Sequence, residues 1–459
     1  MRFRIFVLLT ALCLLLSFTL GCQPQGTGTV ETTGGTTTDT LPVTETTEDT
    51  TSAPDTEAPE TEAGLTFPPY EGGEVVLRFI LASDTHIASA SPVNQCSRRT
   101  RQMINISYDY AATQPYKGLD AIVVAGDLTD HGYPREYEAF KSIMADEVRE
   151  GTQLITVMGN HGYHNGVMSN YTDVLNPEFN AHFVINGYHF VGISCSDAGG
   201  GYRASDLAFL RESVAEALAD DPAKPVITFQ HYPVLGTLSG IYSQSSRIVN
   251  FYGHTHSAMN HPNAMSQGAF TAFNNGTITY TYLGGGETPT NIHNEKDANQ
   301  FCLVEVTSDH RVRILPFNLH SKDFFHIPGT DTQLVYEFDV NHPETWAYTA
   351  AARAKSKAPV FPEGAAITVD ANEGGVLSMT FPQAIDDECI YRYRIVLRGD
   401  RGTNKTLEYS SGYVIDPLPL SLTISLRTEL VRGENYEVTI YPYDAFGKQG
   451  APLTGVINN

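Results

Sequence analysis

Five short stretches of the sequence carry side chains of metal-ligand type directly after apolar runs. They are Asp84-Thr85-His86, Gly126 to Asp130, Gly159-Asn160-His161, His231 and Gly253-His254-Thr255-His256. The runs before them, such as VLRFILA, AIVVA and PVITFQ, are typical of strands buried on both faces. Side chains that follow such strands gather at the carboxyl edge of an open α/β sheet. Asp, Asn and His offer the oxygen and imidazole ligands that two neighbouring divalent metals require, so the spacing predicts a dinuclear metal hydrolase.

The order of these motifs resembles the calcineurin-like metallophosphoesterases, over roughly Phe79 to Leu319. The motifs are Asp84-Thr85-His86, Gly126-Asp127, Gly159-Asn160-His161, His231 and Gly253-His254-Thr255-His256. A single Asp at a strand end is more often a helix cap or a turn residue, but here all five motifs occur in order. The resemblance implies an α/β four-layer sandwich, with two mixed sheets flanked by helices. It also implies a metal-dependent phosphoric ester hydrolase.

The resemblance further implies a ligand set for each of two divalent metal ions. One ion would be held by Asp84, His86, Asp127 and His256, and the other by Asp127, Asn160, His231 and His254. Mn, Fe and Zn all suit such nitrogen and oxygen ligands. Paired ions lower the pKa of a bound water, and the resulting metal-bound hydroxide would attack phosphorus in line with the leaving oxygen.

His161 follows a ligand without being one, so the resemblance implies that it is the catalytic proton donor to the leaving group. The acidic residue that usually follows this His in the family is Gly162 here. An acid at that position would help to orient the imidazole, and Asp130 is an alternative partner. Residues 163–165 either face the substrate or form a solvated loop. Three further histidines near the motifs are predicted to lie outside the ligand set, namely His131, His261 and His293.

The first 22 residues predict an export signal. Arg2 and Arg4 precede an apolar run too short for a comfortable transmembrane helix. The run ends at Gly21-Cys22, which resembles a bacterial lipoprotein box. We therefore expect a signal peptide at 1–22, a lipid on Cys22 and an extracytoplasmic, lipid-anchored protein at the cell membrane. The alternative is a cleaved export signal without a lipid.

Residues 23–66 predict a disordered linker. This segment is rich in Thr, Glu, Asp, Pro and Gly, and it contains nine acidic residues without any Lys or Arg. Such a composition cannot bury enough apolar surface to offset the entropy of the chain. The whole chain carries a formal charge of −23, and no basic stripe interleaved with aromatic residues occurs in it. These features argue against a broad nucleic-acid surface.

The remaining sequence divides into two parts that differ in their predicted secondary structure. Helical patterns at 98–112, 135–149 and 205–219 alternate with strands, and we place the metallophosphoesterase domain at 67–335. Strands at 277–283, 301–307 and 312–316 are expected to complete a second sheet. A connector is predicted at 336–357.

Short alternating strands without a helical pattern predict an all-β, immunoglobulin-like sandwich at 358–459. The strands are expected at 366–369, 376–381, 391–398, 420–425 and 436–442. The stretch from Tyr436 to Gly447 resembles the last strands of a fibronectin type III module. No catalytic cluster is evident in this part, so we interpret it as a spacer or as a module that binds a partner at the cell surface.

The sequence thus predicts an exported, membrane-tethered phosphoesterase that hydrolyses small phosphomonoesters or phosphodiesters. One alternative is a cyclic-nucleotide phosphodiesterase or nucleotidase. Another is a non-catalytic surface-binding lipoprotein on the same fold. The complete ligand set argues against the binding-only alternative.

Overall fold

The computed structural model describes residues 67–282, 298–327, 332–371, 376–415, 418–427 and 430–458. The predictions made for the signal segment, the linker, Cys22 and His293 lie outside these residues. Six α-helices are present among them. They are α1 (Gln95–Thr113), α2 (Pro134–Glu147), α3 (Ser169–Val174), α4 (Ala204–Asp220), α5 (Thr237–Tyr242) and α6 (Ala350–Arg353). Among the described residues, no helix combines the length and the apolar character needed to cross a membrane.

Within the described part of the chain, the strands fall into four sheets. Those of the α/β part are β1 (Val75–Ala82), β2 (Ala121–Ala125), β3 (Gln153–Val157), β4 (Ala181–Ile185), β5 (Tyr188–Ile193), β6 (Val226–Gln230), β7 (Ile248–Tyr252), β8 (Met265–Gln267), β9 (Thr271–Asn274), β10 (Gln300–Thr307), β11 (Arg311–Asn318), β12 (Asp323–Phe324) and β13 (Tyr336–Asp339). Those of the C-terminal part are β14 (Thr368–Ala371), β15 (Leu377–Pro382), β16 (Ile390–Gly399), β17 (Asn404–Ser410), β18 (Ser421–Ser425), β19 (Tyr436–Asp444) and β20 (Leu453–Ile457).

Two mixed sheets form the centre of the α/β part. The first has the order β12-β11-β10-β1-β2-β3, with β13 also paired to β11. In it, β1 is parallel to β2 and antiparallel to β10. The second has the order β4-β5-β6-β7-β9-β8, and β5, β6 and β7 are parallel.

Alternating residues of β1 show why the sheets stack in layers. Phe79 and Leu81 point into a core shared with the second sheet, where they pack with residues such as Phe229. Ile80 and Ala82 point to the other side, into the core with the helices α1 and α2. The second sheet likewise packs its outer face on α4 and α5. The result is the α/β four-layer sandwich that the sequence predicts.

The structure corrects the predicted strand pattern after the last ligand motif. Thr277 to Tyr282 form no strand, because Tyr280 and Tyr282 make backbone hydrogen bonds to His256 instead of to a neighbouring strand. The strands predicted at 301–307 and 312–316 exist as β10 and β11, but they extend the sheet of β1. Residues 336–357, predicted as a connector, supply β13 and the buried Trp346 to the α/β part.

The C-terminal part is an all-β sandwich. One sheet has the order β14-β15-β18, and the other has the order β17-β16-β19-β20. Alternate residues of β16, such as Tyr393 and Ile395, point inwards and pack with Phe381 and Leu422. The sequence prediction located five of these strands and missed β17 and β20. Several side chains of these two strands are exposed or half-buried in the structure.

Candidate metal centre

The first sheet brings two ligand motifs side by side. Asp84 and His86 follow β1, and Asp127 follows β2, its parallel neighbour. The backbone N–H of Asp84 donates to the carbonyl of Gly126 at 3.1 Å, and that of His86 donates to the carbonyl of Asp127 at 3.0 Å. Because the carboxyl ends of parallel strands share one edge of the sheet, these side chains are neighbours.

The second sheet adds the remaining histidines from the facing edge. His231 follows β6, and His254 and His256 follow β7. The backbone N–H of Gly253 donates to the carbonyl of His231 at 3.0 Å. The backbone N–H of His254 donates to Asp84 Oδ2 at 3.1 Å, which ties the second sheet to the first.

Six of the seven predicted ligands come together as two clusters. One cluster contains Asp84, His86 and His256, and the other contains Asp127, His231 and His254. Within each cluster one ligand atom per residue lies within 4.8 Å of the others. Asp84 Oδ1 is 3.2 Å from His256 Nε2 and 3.9 Å from His231 Nε2, whereas Asp127 Oδ2 is 3.0 Å from His231 Nε2. The two clusters are therefore contiguous, with His231 between the carboxylates.

Five side-chain atoms of the predicted ligands are buried without hydrogen-bond partners. These atoms are Asp84 Oδ1, both ring nitrogens of His86, Asn160 Oδ1 and His231 Nε2. Buried polar atoms without a partner are rare and energetically unfavourable. Side chains that approach each other without hydrogen-bond geometry aim at a common point, as ligands of a shared cation do. The donor set therefore fits divalent metal ions.

Backbone carbonyls fix the direction of two imidazoles. His256 Nδ1 donates to the carbonyl of Tyr280 at 2.8 Å, and His231 Nδ1 donates to the carbonyl of Ala125 at 3.0 Å. In both rings Nε2 is left to face the clusters. Such outer hydrogen bonds select the tautomer and the orientation of metal-binding histidines.

The pKa shifts follow from burial and from the close carboxylates. Burial lowers the pKa of His86 and of His254 to about 4. Burial also acts to lower the pKa of His231, but the carboxylates of Asp127 and Asp84 raise it to about 9. Burial acts to raise the pKa of Asp84, yet the imidazoles of His256 and His231 bring it below the usual range. The carboxylate is thus held in the charged form that binds cations.

His161 lies at the edge of the second cluster. It belongs to a short 3₁₀ helix, Asn160–Tyr163, and its backbone N–H donates to Asp127 Oδ1 at 2.9 Å. His161 Nδ1 donates to the backbone carbonyl of Asp130 at 2.6 Å. Its Nε2 lies 3.8 Å from Asp127 Oδ2. Asp130 therefore orients His161 through its carbonyl, and its carboxylate forms a third group of ligand-type atoms with His86 and His161.

Gly162, which replaces the acid of the family pattern, occupies a place without room for a side chain. A Cβ there would lie 2.5 Å from Met158 Cγ and 2.8 Å from the hydroxyl of Tyr137. A Cβ on Gly132 would lie 2.5 Å from the carbonyl oxygen of Gly162. The two loops thus approach backbone to backbone, and this approach brings the carbonyl of Asp130 to His161.

Of the three loop residues at 163–165, two make hydrogen bonds to backbone carbonyls and one is exposed. Tyr163 donates from its hydroxyl to the carbonyl of Cys195 at 3.2 Å, and Asn165 donates to the carbonyl of Gly132. His164 is exposed, and its ring centroid lies 4.0 Å from that of His161. Of these three side chains, His164 is the one that faces the solvent beside the centre.

Sequence reasoning missed three tyrosines that contact ligand imidazoles. The ring of Tyr232 stacks on His254 with centroids 3.8 Å apart. Tyr280 and Tyr282 lie with ring centroids 4.2 Å and 5.5 Å from that of His256. Tyr232 directly follows a ligand, which was an available signal, whereas the other two lay in a segment predicted to be a strand.

Comparisons with known proteins agree with this geometry. The family model for calcineurin-like phosphoesterases matches residues 77–258. No curated protein matches the chain. A purple acid phosphatase from yellow lupin (Lupinus luteus) seeds is 12% identical, with 59% of this chain and 55% of that chain covered and a TM-score of 0.42. The chain thus spans about half the length of that phosphatase.

Two further solved structures are similar to the C-terminal part. A fibronectin type III domain of human collagen XX is 19% identical, with 22% of this chain and 99% of that chain covered and a TM-score of 0.15. A two-domain fibronectin type III segment of chicken tenascin is 13% identical, with 35% and 79% covered and a TM-score of 0.17. Residues 77–258 thus match the calcineurin-like phosphoesterase family, and the same residues contain both clusters of ligand-type side chains.

Proposed function

We propose that this protein is a metal-dependent phosphoric ester hydrolase that uses two divalent ions at adjoining sites to cleave small phosphomonoesters or phosphodiesters. One ion is assigned to Asp84, His86, Asp127 and His256, and the other to Asp127, Asn160, His231 and His254. The observation that carries the proposal is the pair of contiguous clusters, in which Asp84, His86 and His231 have buried ligand-type atoms without hydrogen-bond partners. Asp127 is assigned as the shared ligand because a carboxylate has two oxygens with which to contact two cations.

The chemistry divides between the ions and His161. Divalent ions at these ligands supply the Lewis acidity that activates water and stabilises charge on phosphoryl oxygens. His161 keeps its Nδ1–H on the carbonyl of Asp130, so Nε2 is the nitrogen that faces the centre. In the imidazolium form Nε2 would donate its proton to the leaving oxygen as the ester bond breaks.

A nucleotide is the second candidate substrate, favoured by one aromatic side chain. The ring of Tyr282 is 52% exposed and lies beside the imidazole of His256. A flat base could stack on such a ring. A panel that contains sugar phosphates, nucleoside monophosphates and cyclic nucleotides separates the candidates. Tyr282→Ala should raise KM for the nucleotides alone if a base stacks there.

We also propose that the protein is exported and held at a membrane. The support is the apolar N-terminal run that ends at Cys22 and the acidic segment that follows it. Cys22→Ser should move the protein from the membrane fraction into the soluble fraction, since one lipidated cysteine is the proposed anchor. A mutant that remains membrane-bound after signal cleavage would place the anchor elsewhere.

The central test is a phosphoester panel on metal-reconstituted protein without residues 1–66. The proposal expects about two divalent ions bound per chain and turnover of at least one small ester. Binding of two ions without turnover of any ester would favour the non-catalytic surface-binding alternative. Failure to bind any divalent transition ion would overturn the proposal.

A further inference from the structure

The loop that carries His254 and His256 continues directly into a contact with the C-terminal sandwich. Ala258, two residues after His256, is fully buried. It packs in a small apolar cluster that also contains Ala298 of the α/β part and four residues of the sandwich. These four are Cys389, Tyr413, Val414 and Ala445. We call residues 257–263 the docking loop.

Polar and aromatic contacts extend this interface along the docking loop. Asn260 Nδ2 donates to the carbonyl of Tyr413, and Asn263 Nδ2 donates to the carbonyl of Ala445 at 2.8 Å. The ring of His261 contacts Tyr391 and Tyr413 edge to face, with centroids 5.0 Å and 5.3 Å apart. Such aromatic pairs are directional as well as apolar, so they fix the position of the loop.

A second connection reaches His256 through Ala298. The hydroxyl of Thr281 donates to the carbonyl of Ala298. The residues on either side of Thr281 hold His256, because Tyr280 accepts from its Nδ1 and the backbone N–H of Tyr282 donates to its carbonyl at 2.8 Å. Two connections therefore lead from His256 to the sandwich, one through the docking loop and one through residues 280–282 and Ala298.

The backbone of the ligand pair needs such external support. His254 has a φ of 67° and His256 has a φ of 49°, both in the left-handed region. Residues other than glycine are strained there, and they persist only when the surroundings over-determine their conformation. The docking contacts begin two residues after His256, so they are among the surroundings that can hold this conformation.

We propose that the C-terminal sandwich is a structural part of the metal centre, and that Asn260, His261 and Tyr413 are positioning residues for the His256 ligand. The sandwich therefore contributes to metal affinity without contacting the metal. This inference rests on the ligand assignment of the proposed function.

The test measures Mn²⁺ affinity and stoichiometry on the otherwise complete protein. His261→Ala and Asn260→Ala should weaken one of the two bound ions by about 10–100-fold, the range seen when partners of metal ligands are removed. The other ion, assigned to Asp127, Asn160, His231 and His254, should be affected less. His261→Phe should recover most of the affinity, because it restores the ring contacts with Tyr391 and Tyr413.

Two controls distinguish positioning from a general loss of stability. Leu422→Ala opens the sandwich core away from the docking loop, so it should lower the melting temperature and leave both Mn²⁺ affinities unchanged. In a His256→Ala background, His261→Ala should cause no further loss of affinity, because the ligand that it positions is already gone.

The outcomes separate this inference from the proposed function. If the unmodified protein binds two ions and hydrolyses esters, and folded Asn260→Ala and His261→Ala variants bind both ions as tightly, the positioning role is overturned while the proposed function stands. An equal loss of affinity in Leu422→Ala would also overturn it. An unmodified protein that binds no divalent ion would overturn both.

Discussion

The α/β part and the C-terminal sandwich differ in where their backbone is strained. Nine residues other than glycine have a positive φ among those described, and all lie before residue 323. Five of them are proposed metal ligands, namely Asp84, His86, Asp127, His254 and His256. In the described residues of the sandwich, every positive φ belongs to a glycine.

This difference indicates what each part contributes. Left-handed conformations of non-glycine residues cost of order 1–3 kcal/mol each and cluster where function requires a particular geometry. The α/β part holds such conformations at one edge of its two sheets, where they direct carboxylates and imidazoles to a common point. The sandwich has regular strands and glycine turns, so it can serve as a relaxed support against which the strained loop is held.

The largest effect is expected for Asp127→Asn, which weakens both proposed ion sites at once. Activity should fall by more than the roughly 10²–10⁴-fold that a single proton donor contributes. Metal content should fall below two ions per chain, as measured by elemental analysis. Glu434→Gln is the matched change in the sandwich, where the buried carboxylate accepts hydrogen bonds from Arg401 and Thr403. It should reduce stability alone, and loss of metal in this variant would contradict the division between the two parts.

A smaller effect is expected for His161→Ala, and it should depend on the leaving group. A proton donor matters most for a poor leaving group such as an alkoxide, so alkyl esters should lose roughly 10²–10⁴-fold in kcat/KM. Nitrophenyl esters should lose much less, and the metal content should stay at two. An equal, modest loss on both substrates would mean that the hydrogen bond to the carbonyl of Asp130 does not hold His161 in a productive position.

Matched glycine substitutions compare the two parts directly. Gly126 has a φ of 92°, and a Cβ there would lie 2.5 Å from His231 Nδ1. Gly402 has a φ of 100° and open space around a Cβ. Gly402→Ala should destabilise the protein by about 1–2 kcal/mol, from the left-handed backbone alone. Gly126→Ala should in addition displace His231 and reduce metal affinity. Equal metal affinity in the two folded variants would show that His231 tolerates the displacement.

The smallest effect is a pH dependence of the docking contact. Burial and the nearby Arg353 lower the pKa of His261 to about 4, against about 6.5 in an unfolded chain. His261 Nδ1 accepts a hydrogen bond from the backbone N–H of Asn263 at 3.0 Å, which requires an unprotonated nitrogen. The stability that this neutral ring contributes is therefore present above pH 6.5 and is lost as pH falls towards 4.

His261→Gln should remove this titration. The slope of unfolding free energy against pH between 6.5 and 4.5 should flatten by up to about 1.4 kcal/mol per pH unit, as measured by denaturant titration. Identical slopes in the two proteins would indicate that the imidazole is not buried against the sandwich in solution.

The side chains of the two clusters were predictable because each depends on a local pattern. An apolar strand followed by Asp, Asn or His is visible in a few consecutive residues, and parallel pairing then brings the ends together. The role of Asp130 was only partly predictable. Its carboxylate belongs to the visible pattern, but the carbonyl that orients His161 depends on the close approach of Gly132 to Gly162.

The contact with the sandwich could not be predicted for a different reason. It joins Asn260 to Tyr413, 153 positions along the chain, through small residues such as Ala258 and Ala445 that carry no distinctive pattern. Residues 277–283 have the sequence alternation of a strand, but backbone groups of Tyr280 and Tyr282 bind His256, and only the tertiary structure decides between these partners. Propensity is a weak guide where a distant segment competes for the same hydrogen bonds.

The docking loop and Tyr413 are far apart in the sequence, and this separation affects the order in which parts of the proposed metal centre form during synthesis. Domains fold as units from the N-terminus as the chain emerges, and contacts of long sequence separation form late. The strands before Tyr252 can therefore assemble, and bring Asp84, Asp127 and His231 together, before the sandwich has been synthesised. The loop with His256 is locked only after Tyr413 and Ala445 have emerged. On the proposed positioning role, a nascent chain without the sandwich would thus bind one of the two ions more weakly until Tyr413 and Ala445 have been synthesised.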